Sequence, residues 1–159
     1  MSLIEECYAS GKGVIIDTIE AKVEGESVSQ LYCSGFEDVT CTTEDGRTLT
    51  FTALAMDIGL PKNDNSAFQN LVIGLDNTTG EVQEFIENAK AQGKRIILTF
   101  RRYLESDLSF PSERYHMTVL SREYEDTLAK ITCGFMDMLN TNAMRRLLTP
   151  NEAPGLKYL

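Results

Sequence analysis

The chain has no tryptophan, one histidine, four prolines and four cysteines in 159 residues, and each shortage closes off a class of function. Without tryptophan there is no indole platform of the kind that holds a sugar ring. With His116 as the sole histidine, a zinc site would need an unusual, dispersed set of ligands. Cys7, Cys33, Cys41 and Cys133 contain no CxxC pair. Four cysteines permit three full pairings, and spacing does not choose among them. Reduced, mostly buried thiols are the simpler expectation for a chain without an export signal. The N-terminus, MSLIEECYAS, is acidic and lacks the continuous apolar segment of a secretory signal. The chain is therefore expected to fold in the cytoplasm of the cell that makes it. No apolar run approaches the roughly 18 residues that suggest a membrane span. Positive charge is also scarce: 15 Lys and Arg against 24 Asp and Glu leave a formal net charge of −9. Sequence-specific nucleic-acid binding normally needs a basic face that displaces counterions, and anionic membranes are disfavoured for the same reason. No internal repeat or low-complexity segment is present.

What remains is an ordinary globular composition, 42% hydrophobic and 25% charged. A domain near this size buries roughly 70% of its unfolded surface, enough for a real core. The clearest local signal runs from Asn70 to Leu104 and reads strand, helix, strand. Leu71, Ile73 and Leu75 alternate with Val72, Gly74 and Asp76. Thr78-x-x-Glu81 has the form of a capping box. Val82, Phe85, Ile86 and Ala89 follow at i, i+3, i+4 and i+7, one face of a helix over about 78–92. Glu81 and Glu84 lie near its positive end and Lys90 near its negative end. Gly93 is the expected left-handed stop. Lys94 to Leu104 then forms a long strand with Ile96, Leu98 and Phe100 on one face.

The flanking regions read as strands. Leu3 to Ser10 is a candidate short helix, with Leu3, Ile4, Cys7 and Tyr8 at helical spacing. Val14 to Val23 and Val28 to Cys33 bracket a turn at Glu24-Gly25-Glu26. Asp38 to Thr43 and Arg47 to Phe51 bracket Asp45-Gly46, a strong hairpin signal. Thr40, Thr42, Thr48, Thr50 and Thr52 suit a partly wetted sheet face there. Ala53 to Ile58 is a further short strand, followed by a loop through Ser66. Arg114 to Ser121 is a strand with Tyr115, Met117 and Val119 facing one way. Glu123 to Asp126 reads as an acidic bend, and Leu128 to Met136 as the last strand. The expected class is α+β, mostly β: a β-sandwich or open barrel with one well-formed helix packed on a sheet. One β-rich domain is expected over 1–142, with a candidate helix in 1–12 and an extended C-terminal arm at 143–159.

Chemistry is hard to find. Gly11-Lys12-Gly13 is not a phosphate loop, and no GxSxG elbow exists. His116 sits mid-strand and reads as structural. Glu123, Glu125 and Asp126 cluster, but nothing sets two of them across a cleft as glycoside hydrolysis requires. Asn63-Asp64-Asn65-Ser66 is only a faint echo of a calcium loop. Arg101-Arg102 and Arg145-Arg146 are the basic pairs; the first should point to opposite sheet faces, and ordinary surface arginines are expected at both. The tail carries Met144, Arg145, Arg146, Leu147, Leu148, Pro154, Gly155, Leu156, Tyr158 and Leu159. Such an arm can cover much of a neighbour's surface. Arg145 to Leu148, Pro154 to Leu156, Tyr158 and Leu159 are therefore the candidate assembly contacts.

Read in order, the segments resemble a family of small phage tail-tip proteins long catalogued as a domain of unknown function. The matching features are Asp45-Gly46-Arg47 leading into Thr48 to Phe51, then Leu60-Pro61, then Leu71 to Asn77 with Asp76-Asn77 before the helix. The strand Ile96 to Tyr103 and the ending Thr149-Pro150 to Pro154-Gly155-Leu156 complete the series. Ala153 stands where the family usually has an aromatic. The family is similar to the N-terminal part of the tail-tip protein L of phage lambda. The resemblance implies a virion structural protein at the tail tip of a long-tailed phage, assembled in the host bacterial cytoplasm. It would connect the distal tail ring to the central receptor-binding hub and surround the C-terminus of the tape-measure protein, as a homotrimeric ring. It implies no enzyme activity and, with no clustered cysteines, no iron–sulfur cluster or other cofactor. A β-sandwich module for carbohydrate or a host receptor is the alternative, with Tyr103, Phe110, Tyr115 and Tyr124 as its aromatic candidates. A hydrolase using the Glu123–Asp126 cluster ranks third.

Overall fold

The computed structural model describes Tyr8 and residues 13–60, 70–125 and 127–135. The described residues form nine strands and one long helix. The strands are β1 (Ile15–Val23), β2 (Ser29–Ser34), β3 (Val39–Thr42), β4 (Thr48–Leu54), β5 (Met56–Gly59), β6 (Asn70–Asp76), β7 (Ile96–Leu104), β8 (Glu113–Glu125) and β9 (Leu128–Gly134). The helix, α1, spans Glu81–Ala91 between β6 and β7. All nine strands join one sheet, in the order β3-β4-β2-β1-β7-β8-β9-β6-β5. The α+β, mostly β expectation holds, in its open, curled form rather than as two stacked sheets.

The curl follows from one stretch of chain. β4 pairs in parallel with β2, Thr52 opposite Tyr32 and Leu54 opposite Ser34. Only Ala55 separates it from β5, which pairs antiparallel with β6 at the far side of the sheet order. The Ala55 carbonyl already accepts the Asp76 amide at 3.0 Å. One continuous segment therefore serves both flanks, so the sheet must bend round on itself. Its concave face holds Ile19 and Val23 of β1, Leu98 and Phe100 of β7, Leu71, Ile73 and Leu75 of β6 and Ala129, Ile131 and Cys133 of β9. The expected helical stripe closes this core, with Val82, Ile86 and Ala89 buried and Phe85 packed beside them.

Both helix ends are fixed, one of them unexpectedly. Gly93 adopts φ 65°. Its amide donates to the Lys90 carbonyl at 2.9 Å, and the Lys94 amide to the Ala89 carbonyl at 3.1 Å, a Schellman stop. The capping box at Thr78 does not form. The Thr78 amide and hydroxyl both donate to the Asp76 carboxylate, making a tight turn that keeps Thr78 out of the helix. The helix starts later, behind a left-handed Gly80, and Asn77 Oδ1 accepts the Gln83 amide at 3.2 Å in place of the threonine.

The β1–β2 turn and the Asp45-Gly46 hairpin form as expected, the latter with Gly46 at φ 77°. Thr40 and Thr50 face each other with hydroxyls 3.1 Å apart. Glu123-Tyr124-Glu125 is not a bend. β8 runs through Glu125, pairing first with β7 and then, past an irregularity at Val119–Ser121, with β9. A single long strand shared by two partners replaces the short strand and bend read from the charges. Of the expected N-terminal helix only Tyr8 is described, helical and exposed. The C-terminal arm and its candidate contacts, Arg145 to Leu159, lie outside the described residues, as do Asn63 to Ser66.

Candidate functional site

The most unusual chemistry in the fold sits on β7. Its sequence, IILTFRRYL, places Arg101 and Arg102 in the middle of an apolar strand. They do point to opposite faces, as alternation requires, but neither is a surface residue: Arg101 is 2% and Arg102 7% exposed. The expectation of ordinary surface arginines is overturned, because β7 is a central strand covered on both sides.

On the concave face, Asp17 of β1, Arg102 of β7 and Glu113 of β8 stand directly opposite one another in three adjacent strands. Arg102 Nε donates to Asp17 Oδ1 at 2.7 Å, and Nη1 to Glu113 Oε2 at 3.3 Å. The guanidinium also lies over the Phe100 ring, 5.7 Å from its centre. Burial works against the Arg102 charge, but the hydrogen bond and charge of Asp17 outweigh it and raise its pKa.

On the other face the register creates a conflict. Arg101 lies directly opposite Arg114 of β8, and like charges in a cross-strand pair repel. Glu44, from the turn of the β3–β4 hairpin, enters between them. Its carboxylate accepts Arg101 Nε at 2.7 Å, Arg101 Nη2 at 3.2 Å and Arg114 Nη1 at 3.1 Å. Arg101 Nη1 donates to Glu20 at 2.8 Å, and Arg47 reaches the same Glu20 at 3.4 Å. All three guanidinium nitrogens of Arg101 are thus engaged. The Arg101 hydrogen bond, opposed by burial and supported by Arg114, holds the Glu44 carboxyl at about 2. Arg101 has its own pKa raised, since the hydrogen bonds of Glu44 and Glu20 overcome the cost of burial.

This network clamps the hairpin. Glu44 belongs to the β3–β4 end of the sheet and its partners to β7 and β8, so the hairpin folds across the intervening strands. Two more bonds hold it there: Tyr103 Oη donates to the Thr42 carbonyl at 3.0 Å, and the Thr42 amide to the Leu108 carbonyl at 2.9 Å. Beneath it lies a second small core of Ile16, Cys33, Cys41, Phe51 and Tyr103. Between hairpin tip and sheet remains an open polar cleft of about 740 Å³, its floor formed by Glu20, Thr99 and Arg101 and its sides by Glu44, Arg47, Arg114 and His116.

The cleft is poorly equipped for acid–base work. Glu44, bridged by two arginines, is shifted away from the range a general acid needs. His116 is exposed and shares a 3.1 Å hydrogen bond between its Nδ1 and Thr99 Oγ1. Glu123 and Glu125 are exposed on β8, with Glu123 4.0 Å from Lys130 Nζ. Among the described residues no group of three or more His, Cys, Asp or Glu is placed to hold a metal ion. Of the aromatic candidates, Tyr103 is fully buried, Tyr115 stacks on Phe100 with centroids 5.9 Å apart, and Tyr124 packs against the main core; Phe110 is exposed. Cys33, Cys41 and Cys133 are buried free thiols, with burial pushing Cys133 to about 12 and Cys41 to about 11. Among the described residues no helix is long and apolar enough to cross a membrane.

One signal in the sequence pointed to this network. Arg101 and Arg102 interrupt an apolar strand, and Asp17 and Glu20 interrupt another, VIIDTIEAKV. Opposite charges set in two apolar strands are the mark of buried pairs.

No curated protein matches the chain. A family match runs over residues 2–147, most of the chain's length. The protein belongs to the family described as Domain of unknown function (DUF1833).

Proposed function

We propose that this protein is a structural component of the tail tip of a long-tailed phage, a hub-ring subunit joining the distal tail ring to the receptor-binding hub. The observation that carries the proposal is how the buried charges are used. A catalytic site keeps a titratable group poised and partly unsatisfied. Here Arg101 is spent on Glu20 and Glu44, and Arg102 on Asp17 and Glu113, and the result is a clamped scaffold. Three of the stretches that carry the tail-tip resemblance also fix this scaffold. Asp45-Gly46 forms the hairpin tip beside Glu44 and Arg47, Asp76-Asn77 forms the turn into α1, and Ile96 to Tyr103 is the central strand. A closed ring reuses one interface between identical copies, and a clamped subunit presents that interface in one fixed geometry.

Quantitative mass spectrometry of purified particles, with the neighbouring genes read alongside, tests the proposal. A small fixed copy number, in simple ratio to the tip protein, is expected. Absence from particles overturns it and leaves an assembly factor or a free binding protein.

A further inference from the structure

Three exposed large apolar side chains, Val14, Phe36 and Phe110, lie at one end of the sheet. β2 and β7 are both antiparallel to β1 and flank it, so both run towards the end where β1 begins. The loops that follow them, 35–38 and 105–112, therefore leave from points about 10 Å apart on either side of β1. Each loop holds an outward phenylalanine. Phe36 is fully exposed at 104% and Phe110 is 62% exposed. Between them, at the entry to β1, Val14 is 56% exposed. The Val14 carbonyl accepts the Glu105 amide at 2.9 Å, and the Arg102 carbonyl accepts the Ser112 amide at 2.8 Å, so the second loop is tied down at both roots.

The same end is acidic. Glu37, Asp38 and Glu105 are exposed, with Asp107 half-buried. The described segments 13–17, 34–38 and 104–113 contain no lysine or arginine. Arg102, at their base, is already held by Asp17 and Glu113. Two copies of such a surface repel each other, and so does an anionic membrane. A basic partner is attracted.

We propose that this end of the sheet is a docking surface for a basic protein segment with apolar side chains, gripped by Phe36 and Phe110 as anchors and steered by Glu37 and Glu105. Aromatic anchors ringed by charge of one sign are how interfaces combine affinity with selection of partner. The surface is defined by its own geometry and does not depend on the tail-tip assignment.

The test uses the full chain and three fluorescent peptides of equal length: an amphipathic Leu/Lys helix, its Leu/Glu counterpart, and a Ser/Lys peptide without apolar residues. Fluorescence anisotropy is expected to show binding of the Leu/Lys peptide alone, weakening with salt. Phe36→Ser with Phe110→Ser should weaken binding at least about tenfold. Glu37→Gln with Glu105→Gln should weaken it and flatten the salt dependence. Val28→Ser with Leu128→Ser, at exposed apolar positions away from these loops, should leave it unchanged. Equal binding by the phenylalanine variant overturns the proposal, as does equal binding of the Leu/Glu or Ser/Lys peptide. Sedimentation of the unliganded chain adds a further check. A dimer that dissociates in the phenylalanine variant would make a second copy the occupant and overturn the basic-partner assignment.

Discussion

Replacing Glu44 by glutamine removes one charge and almost no volume, and its cost can be worked out in advance. The Glu44 carboxyl is held at about 2, against 4.5 for a free glutamate. At about 1.4 kcal/mol per pKa unit, the folded state favours its ionised form by roughly 3 kcal/mol. The side chain is 16% exposed, so solvent screening removes only part of this. The folded pKa lies below the unfolded one, so the contribution is fully present above about pH 5 and lost as pH falls through 4.5 towards 2. Glu44→Gln should therefore lower unfolding free energy by about 2–3 kcal/mol at pH 7, with the gap falling to less than half by about pH 3. Urea unfolding curves of both proteins at pH 3, 5 and 7 measure this directly. The partner matters too. With Glu44 neutral, Arg101 keeps Glu20 but no carboxylate stands between it and Arg114, so Arg114→Gln should recover part of the loss in the Glu44→Gln background. An unchanged urea midpoint at pH 7 would refute the clamp. So would a gap that stays constant to pH 3, since it would owe nothing to the charge.

Other consequences are equally direct. Arg102→Ala strands Asp17 and Glu113 without their shared cation and should cost about 3–5 kcal/mol, whereas Arg102→Met with Asp17→Leu should recover much of it in thermal unfolding. Gly93→Ala, at φ 65°, should lower stability by about 1 kcal/mol, with Gly93→Asn costing less. Ile86→Ala should cost about 2–5 kcal/mol by opening a cavity between α1 and the concave face, seen as a lower urea midpoint at unchanged slope. Maleimide labelling at pH 8 should spare Cys41 and Cys133 in the folded protein, because burial pushes their thiols to about 11 and 12, and modify both in denaturant; peptide mapping reads the difference.

Features governed by neighbours in the chain were legible from sequence. Asp45-Gly46 announces its hairpin because few other residues accept positive φ, and the Val82–Ala89 stripe with Gly93 announces helix and stop. Features that depend on competition or distance were not. Thr78 carries a capping signature, but Asp76, two residues before it, captures its hydroxyl first. Glu123 and Glu125 look like a bend because acids favour turns, yet β9 supplies a ladder that holds them extended. The hidden part of the candidate site was the meeting of Arg101 with Glu20 and Glu44. Those residues are 81 and 57 positions apart, and no local pattern specifies which strands will lie side by side. The irregular placement of charge inside apolar strands did mark Asp17, Glu20, Arg101 and Arg102, but not Glu44, which sits in a turn where an acid is unremarkable.

The pairing of β1 with β7 also sets a schedule for synthesis. Ile15 meets Leu104 and Val23 meets Ile96, so β1 waits for a strand that ends about two thirds of the way along the chain. At about 5–20 residues per second, translation alone keeps one edge of β1 open for several seconds or more. Until β4 arrives beside β2, β1 and β2 form only a two-stranded ribbon, marginal in water by itself. Asp17 and Glu20 lie on that unfinished ribbon, on opposite faces. Before Arg101 and Arg102 arrive they keep it charged, and charged residues on exposed strands discourage edge-to-edge pairing between nascent chains. The carboxylates that later hold the clamp thus act first as guards for an incomplete sheet, and the arginines end that duty when β7 docks.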